Sequence, residues 1–325
     1  MDTRNDGLRC ASPIYRTQTR QCLHWLFLKF SRFSDIGLTM MFLNHQNPDS
    51  QGEEIMNTVV SKIAQAKESL RITNRDRKVN IARIVSLEDS MEKGIYRINH
   101  PIEGAIPGVS FSFNQYLLLD ENPLLWETGP RDLFPYVREA VATVMDPARL
   151  RYIAFSHHEN DEDGAANEWL TEAPGSEILT SGVNNMINGG AYLRPPRVMG
   201  DGEELELGSM RIRFLATPHF PHGWEAGLMF ETTTRALLAS DLFTQTGTGE
   251  VPLREACPIK DIGYPLFDEL DPGSWGWTRN HESYFSRLIQ LNPQTLCCMH
   301  GSAFTGEYCP GMLKELCASL KEKCA

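Results

Sequence analysis

This chain of 325 residues lacks an apolar run long enough to span a membrane, a Cys-x-x-Cys pair and an excess of basic residues. No segment approaches the roughly 18 uninterrupted apolar residues that a membrane-spanning helix needs. None of the eight cysteines stands in a Cys-x-x-Cys pair, which excludes rubredoxin and zinc-ribbon sites. Acidic residues outnumber basic ones by 42 to 31, for a net charge of −11. The composition therefore predicts no membrane span and no nucleic-acid partner.

The cysteines that are present have the pattern of packing residues. Cys297 and Cys298 are adjacent in an apolar run, and Cys309, Cys317 and Cys324 recur at helical spacing. We interpret them as reduced thiols of a cytoplasmic protein. The 41% hydrophobic content is sufficient for one large domain with a sizeable core.

The sequence divides into three parts. Residues 1–50 carry no core pattern, and we interpret them as a flexible extension or as the product of a start site set too far upstream, with an organelle-targeting segment as the alternative. Residues 51–78 contain apolar residues at helical period, which predicts a docking helix. Residues 79–325 are predicted to form a single domain.

The most informative stretch follows the short apolar run Ile153 to Phe155. It packs two histidines and four carboxylates into positions 157–163, ahead of Gly164. In an extended turn, His157, Glu159 and Asp161 would point to one side. Turns at the carboxyl ends of strands are where α/β folds place their chemistry. The pattern indicates a metal site, whereas a solvated acidic helix start is the alternative.

Similar arrangements recur downstream. Strand-like runs over residues 212–216, 236–240 and 296–299 are followed by His219, Asp241 and His300 respectively. Imidazole and carboxylate groups are rarely buried without partners, so core packing does not explain them. A shared metal centre explains why each of these strands is followed by a His or an Asp.

Together these motifs, His-x-Glu-x-Asp, a single His, a single Asp and a final His-Gly, resemble the metallo-β-lactamase fold. Glu159 makes the chain similar to the flavodiiron proteins and their oxygen-binding di-iron relatives, which carry Glu at this position. Hydrolases of the superfamily carry His there. Over residues 95–305, the resemblance implies an α/β fold, an αββα sandwich forming a single domain with an N-terminal extension.

The same resemblance implies a set of metal ligands. One iron would be held by His157, Glu159 and His219. The other would be held by Asp161 and His300, and Asp241 would bridge the two. The family has a second His after the Asp of the first motif, where this chain has Glu162. We expect Glu162 to bind the second iron, with His158 or His222 as the alternative ligand.

Nitrogen and oxygen ligands without thiolate suit iron, manganese or zinc. The resemblance implies a non-haem di-iron oxidoreductase that binds and reduces dioxygen or nitric oxide, or an oxygen sensor, and we also expect a homo-oligomer. Flavodiiron proteins carry an FMN-binding flavodoxin domain after the metal domain, and here only Ser302 to Ala325 follow the last motif. We therefore expect an external flavin or rubredoxin-type electron donor.

Two other functions remain as alternatives at the level of sequence. A zinc pair would give a hydrolase that attacks an ester, lactone or phosphodiester. Glu159 argues against it. A degenerate site with one metal or none would leave a binding module.

Beyond the ligands, the patterns predict a strand over residues 177–180, a polar connection over 184–190 and an edge strand over 204–207. Residues 244–280 form the least regular part, where Trp275 and Trp277 either wall the pocket or pack the loop onto the body. A helix is predicted from Asn280 to Leu291, with His281 at the surface.

Overall fold

The computed structural model describes residues 79–87, 90, 92–106, 109–262 and 277–324. The N-terminal extension (1–50), the predicted docking helix (51–78) and Trp275 lie outside these residues. Within the described ranges, no helix has both the length and the apolar character needed to cross a bilayer.

The first sheet holds seven strands in sequence order. They are β1 (Asn80–Ser86), β2 (Gly94–Ile106), β3 (Val109–Leu119), β4 (Leu124–Trp126), β5 (Tyr152–Ala154), β6 (Glu177–Thr180) and β7 (Arg197–Val198). Strands β1 to β4 pair antiparallel, and β4 to β7 pair parallel. The parallel half leads into the histidine-rich turn.

The second sheet also holds seven strands, in the order β12, β14, β13, β11, β10, β9, β8. They are β8 (Glu204–Glu206), β9 (Arg211–Ala216), β10 (Gly227–Glu231), β11 (Ala236–Ser240), β12 (Leu253–Glu255), β13 (Thr295–Cys298) and β14 (Ala303–Thr305). Strands β11 and β13 pair in parallel, so the carboxyl ends of these neighbours lie together. The predicted edge position of β8 is confirmed.

Seven α-helices accompany the sheets in the described part of the chain. They are α1 (Phe134–Ala142), α2 (Asn160–Asp163), α3 (Ala166–Glu172), α4 (Gly182–Asn188), α5 (Ile259–Ile262), α6 (His281–Gln290) and α7 (Cys309–Cys324). Short 3₁₀ turns lie at Arg131–Leu133, Pro147–Arg149 and Gly189–Ala191.

The two sheets face one another with helices outside them. In β11, Ala236 and Leu238 belong to the core between the sheets, whereas Leu237 and Ala239 face the core under α6 and α7. All five residues of this strand are buried, as expected when both faces of a sheet are covered. A third core packs α1 and α3 on the outer face of the first sheet. The four layers are helix, sheet, sheet and helix, which confirms the predicted αββα sandwich.

Two local predictions were wrong. The predicted connection at 184–190 is mostly the helix α4, whose first turn is capped by Ser181, which accepts a hydrogen bond from the Asn184 amide. His281, expected at the surface, is 1% exposed because its ring packs between Phe220 and Trp277. Trp277 thus contacts α6, on the outer face of the second sheet.

Candidate metal centre

Strand β5 delivers the first ligands. It is fully buried and ends shortly before His157. The hydroxyl of Ser156 lies 2.8 Å from His157 Nδ1, so the other ring nitrogen, Nε2, is left to face the cluster. His157 Nε2 is 3.6 Å from Glu159 and 3.5 Å from Asp241. A hydrogen bond that fixes one imidazole nitrogen while the other faces carboxylates is the arrangement of a metal-binding histidine.

Helix α2 presents the next two carboxylates from its first turn. The backbone is extended at Glu159 and becomes helical at Asn160, which places Asp161 and Glu162 on the short helix. A side chain at Gly164 would lie 2.2 Å from the Asn160 carbonyl oxygen, so only glycine allows this tight turn.

Glu162, for which the sequence predicts a ligand role, is completely buried. Neither of its oxygens has a hydrogen-bond donor among the described residues. Burial, together with the charges of Asp241 and Asp161, raises the pKa of this carboxyl well above its usual range. A buried carboxylate without a donor is costly unless a cation balances it.

Asp241 follows β11 and lies at the centre of the cluster. One of its oxygens is 3.0 Å from His222 Nε2, and the other is 3.1 Å from His300 Nε2. Burial would raise the pKa of this carboxyl, but His222 and His300 outweigh it and hold the pKa well below its usual range. The two oxygens therefore face two different groups of ligands, as expected of a bridging carboxylate.

His222, rather than the predicted His219, joins this cluster. Its Nε2 is 3.6 Å from Glu159, and His157, Glu159, His222 and Asp241 together form a group able to hold a metal ion. His219 is exposed and has a positive φ of 66°. The structure therefore does not bring the His219 side chain into the cluster, because the turn is closed by hydrogen bonds that carry His222 inward.

That turn is held at several points. The His219 amide donates to the Gly223 carbonyl, and Thr217 bonds Phe220 through both its backbone carbonyl and its hydroxyl. The His219 carbonyl accepts from His281 Nε2 on α6. These contacts fix the backbone of His219 against α6 and leave its side chain outside both ligand groups.

His300 follows β13 and completes the cluster. Its Nδ1 donates to the Ser112 carbonyl at 3.0 Å, which directs Nε2 toward Asp241 and toward Asp161 at 3.6 Å. The ring of Phe111 lies 4.3 Å from the His300 ring. The orientation of His300 is thus set by its neighbours on β3.

The backbone after His300 is also held by buried side chains. The Gly301 carbonyl accepts hydrogen bonds from Arg97 and Asn114, and the Gly301 amide donates to the Ser112 hydroxyl. On the other side, Gln245 donates to the carbonyls of His300 and Ser302. Arg97 is 2% exposed and forms no ion pair with any described residue. Its guanidinium donates hydrogen bonds to the carbonyls of Gly249 and Gly301, and Gly301 directly follows the predicted ligand His300.

In the absence of a cation, the histidines and carboxylates of the cluster compensate one another. His157 and His222 lower the pKa of Glu159 to about 2. Burial disfavours the charged form of His222, but Asp241 and Glu159 outweigh it and raise its pKa to about 10. The cluster thus binds protons at positions where it could instead bind metal ions.

A fifth carboxylate, Glu127, was missed by the sequence analysis. It follows β4, is completely buried and accepts a hydrogen bond from the Ser156 amide at 3.4 Å. Burial, together with the charge of Asp241, raises the pKa of this carboxyl well above its usual range. The signal was available, because Glu127 directly follows an apolar strand just as Asp241 does.

His158, the other alternative ligand, points elsewhere. Its Nδ1 lies 2.6 Å from Asp163, and its amide donates to Glu225. Tyr192 donates to the same Asp163 oxygen. His158 belongs to neither ligand group and is held in a separate network.

Comparison with known proteins gives matches over the domain that carries this site. Residues 111–256, somewhat less than half of the chain, match the model of the ODP family beta lactamase. The rubredoxin-oxygen oxidoreductase of Megalodesulfovibrio gigas is 24% identical over 46% of this chain and 38% of its own length. The anaerobic nitric oxide reductase flavorubredoxin of Salmonella arizonae is 27% identical over 41% of this chain and 29% of its own length.

Among solved structures, a mutant flavo di-iron protein from Thermotoga maritima superimposes with a TM-score of 0.63 at 19% identity. The superposition covers 74% of this chain and 62% of that one. This chain thus spans less than two thirds of the length of these relatives. The matches confirm the fold and the resemblance to the metal core of flavodiiron proteins.

Proposed function

We propose that this chain, a metallo-β-lactamase-like domain similar to the metal core of the flavodiiron proteins, holds two iron ions and reacts with dioxygen or nitric oxide. The observation that carries the proposal is the position of Asp241, whose two oxygens face histidines of two different ligand groups. One carboxylate shared in this way joins two metal positions into one centre.

The donor set fits iron. Three imidazoles and four carboxylates contribute only nitrogen and oxygen, which suits iron, manganese or zinc. Cys297 and Cys298 are buried, belong to neither group, and have thiol pKa values raised by burial. Glu162, buried without a hydrogen-bond donor, requires a cation nearby. Two iron ions would supply a place for a diatomic molecule to bind and accept electrons.

The residues around the cluster control access to it, shield it from water and hold a proton. Glu159 and His222, with side chains 50% and 32% exposed, form the open side through which a small molecule can enter. Phe111 and Phe113 pack beside His300 and shield it from water. Glu127 favours the protonated form close to Asp241, so its carboxyl can hold a proton within the site.

The partners follow from the same assignment. We propose that electrons come from a separate flavin or rubredoxin-type donor, that the protein acts in the cytoplasm, and that it forms a homo-oligomer. Reduction of the bound molecule is the favoured activity, and oxygen sensing uses the same centre without turnover.

The deciding experiment is metal analysis of protein produced with ample iron, followed by anaerobic reduction and exposure to dioxygen. The expected result is about two iron atoms per chain, near-ultraviolet absorption in the oxidised form and stoichiometric dioxygen uptake by the reduced form. Two tightly bound zinc ions that persist under iron-rich conditions, with hydrolysis of an ester or lactone, would instead identify a hydrolase.

A further inference from the structure

The two ligand groups that share Asp241 differ in composition. The first, here called the nitrogen-rich position, consists of His157, His222, Glu159 and one Asp241 oxygen. The second, the oxygen-rich position, is built from Asp161 and Glu162, which lie close to one another on α2, and from His300, which faces both Asp161 and the other Asp241 oxygen. Glu162 also lies 4.0 Å from His157 Nε2, so it borders the first position. Glu159 also lies within reach of Asp161 and Glu162, which adds further oxygen near the second position.

The two positions also differ in burial. At the oxygen-rich position, the side chains of Glu162, His300 and Asp161 are 0%, 7% and 21% exposed. At the nitrogen-rich position His157 is buried, but the side chains of His222 and Glu159 are 32% and 50% exposed. His300 is held by the Ser112 carbonyl and by the Arg97 and Asn114 hydrogen bonds to Gly301. The oxygen-rich position is therefore the deeper and more rigid of the two.

Composition and burial point to the same difference in metal preference. Ions that prefer oxygen, such as Mn²⁺ and ferric iron, are favoured by carboxylates, whereas Zn²⁺ is well suited by imidazole. A buried position with several carboxylates also balances a higher charge than an open one with two neutral imidazoles. We propose that the two positions are inequivalent, with the Glu162 side selecting the harder, oxygen-preferring ion and the His222 side selecting the softer one.

This inference deepens the proposed function and rests on it only in requiring that both groups hold metal ions. It needs neither iron nor reaction with dioxygen. It can therefore be tested with ions that do not change oxidation state, by a readout that is independent of activity.

The test uses metal-free full-length protein to which one equivalent of Zn²⁺ is added, followed by excess Mn²⁺ and removal of unbound metal. If the positions differ, nearly every chain takes one Zn²⁺ and one Mn²⁺, and electron paramagnetic resonance shows isolated Mn²⁺. If they are equivalent, Zn²⁺ distributes at random and only about half of the chains hold a mixed pair.

Variants assign each ion to its position. Asp161→Ala should lose Mn²⁺ and retain Zn²⁺, whereas His222→Ala should lose Zn²⁺ and retain Mn²⁺. Glu162→His gives both positions two imidazoles and should reduce the mixed pair toward the random fraction. The matched control is Asp163→Asn, since Asp163 is a buried carboxylate on the same helix that bonds His158 and Tyr192 instead of the cluster.

Each outcome bears on the proposal. A random distribution in the native protein, a reversed assignment of the ions in the two alanine variants, or an unchanged mixed fraction in Glu162→His would overturn it. Loss of dioxygen chemistry in iron-loaded protein, with the Zn²⁺ and Mn²⁺ selectivity intact, would count against the proposed function alone.

Discussion

His222 Nε2 lies 3.0 Å from Asp241 Oδ2, although His222 stands three residues beyond the histidine that the sequence motif indicated. The exposed His219 contributes its carbonyl to His281 instead. The neighbouring histidines of one turn thus provide a natural pair of variants for testing the assignment.

We expect His222→Ala to lose about one metal ion per chain and His219→Ala to lose none. Removing a ligand typically lowers metal affinity by more than the roughly 10- to 100-fold that outer contacts provide. Metal content measured after dialysis against a weak chelator distinguishes the two. Loss of metal from His219→Ala with retention in His222→Ala would restore the ligand set predicted from the sequence.

Asp241→Asn is expected to lose both metal ions together, because each ligand group uses one oxygen of this carboxylate. Asp201→Asn is the control, since Asp201 pairs with Arg287 on the surface and its side chain is 55% exposed. Metal analysis after the same dialysis gives the result. Stepwise loss, with one ion retained in Asp241→Asn, would show that the carboxylate does not bridge.

The stability of the metal-free protein should depend on pH through Glu127. Its pKa is raised from 4.5, first by burial and then by Asp241, so the folded state holds this proton more tightly than the unfolded state. The ionisation of Glu127 therefore does not lower the free energy of unfolding below about pH 4.5. It lowers it increasingly as the pH rises through the raised pKa of Glu127. Glu127→Gln removes this cost.

We expect Glu127→Gln to raise the free energy of unfolding of metal-free protein by about 1–3 kcal/mol at pH 8, and by much less at pH 4.5. Chemical denaturation at the two pH values measures the difference. Comparison with the parent protein cancels the contributions of titratable groups that do not interact with Glu127. An equal change at both pH values would mean that the charge of Glu127 is not the cause.

Arg97→Met should weaken metal binding on the His300 side by about tenfold, because it removes one of the two side-chain hydrogen bonds that hold the Gly301 carbonyl beside that ligand. Arg194→Met is the control. Arg194 also donates only to carbonyl and hydroxyl oxygens, those of Leu170, Ala173 and Ser176, away from the cluster. Competition with a chromophoric chelator measures affinity. Equal losses in both variants would reduce Arg97 to a general packing role.

Deletion of residues 1–50 should leave metal content and cooperative melting essentially unchanged. The ligand residues found in the described part of the chain all lie between residues 157 and 300. Metal analysis and calorimetry of the truncated and full chains check this. A truncated protein that loses metal would place the segment among the supports of the site.

The sequence was sufficient to predict the elements whose pattern is local. An apolar strand followed by a polar residue located His157, Asp241 and His300, because α/β folds place their chemistry at the carboxyl ends of parallel strands. The same rule, applied to β4, identifies Glu127. The four layers were implied by the resemblance to the metallo-β-lactamase fold, and the complete burial of β11 agrees with them.

The features that could not be predicted depend on the direction in which the side chains of a turn point. His219 and His222 share one Pro-containing turn, and only the hydrogen bonds that this turn makes with Thr217, Gly223 and His281 decide which ring faces inward. His281 itself is buried by aromatic rings that are distant in sequence. Helix α4 has few apolar residues, so its periodicity gave no signal.

The position of Gly301 and its hydrogen-bond donors in the sequence affects when this protein can bind its metal ions correctly. Its hydrogen bonds from Arg97 and Asn114 join residues 204 and 187 positions apart, and His300 is bonded to a residue 188 positions before it. Contacts of such sequence separation form late in folding. A nascent chain therefore exposes all four carboxylates and two of the three imidazoles of the ligand groups before the last histidine exists. We expect correct metal loading to follow completion of synthesis, and the unfinished chain to be the form most vulnerable to capture of the wrong ion.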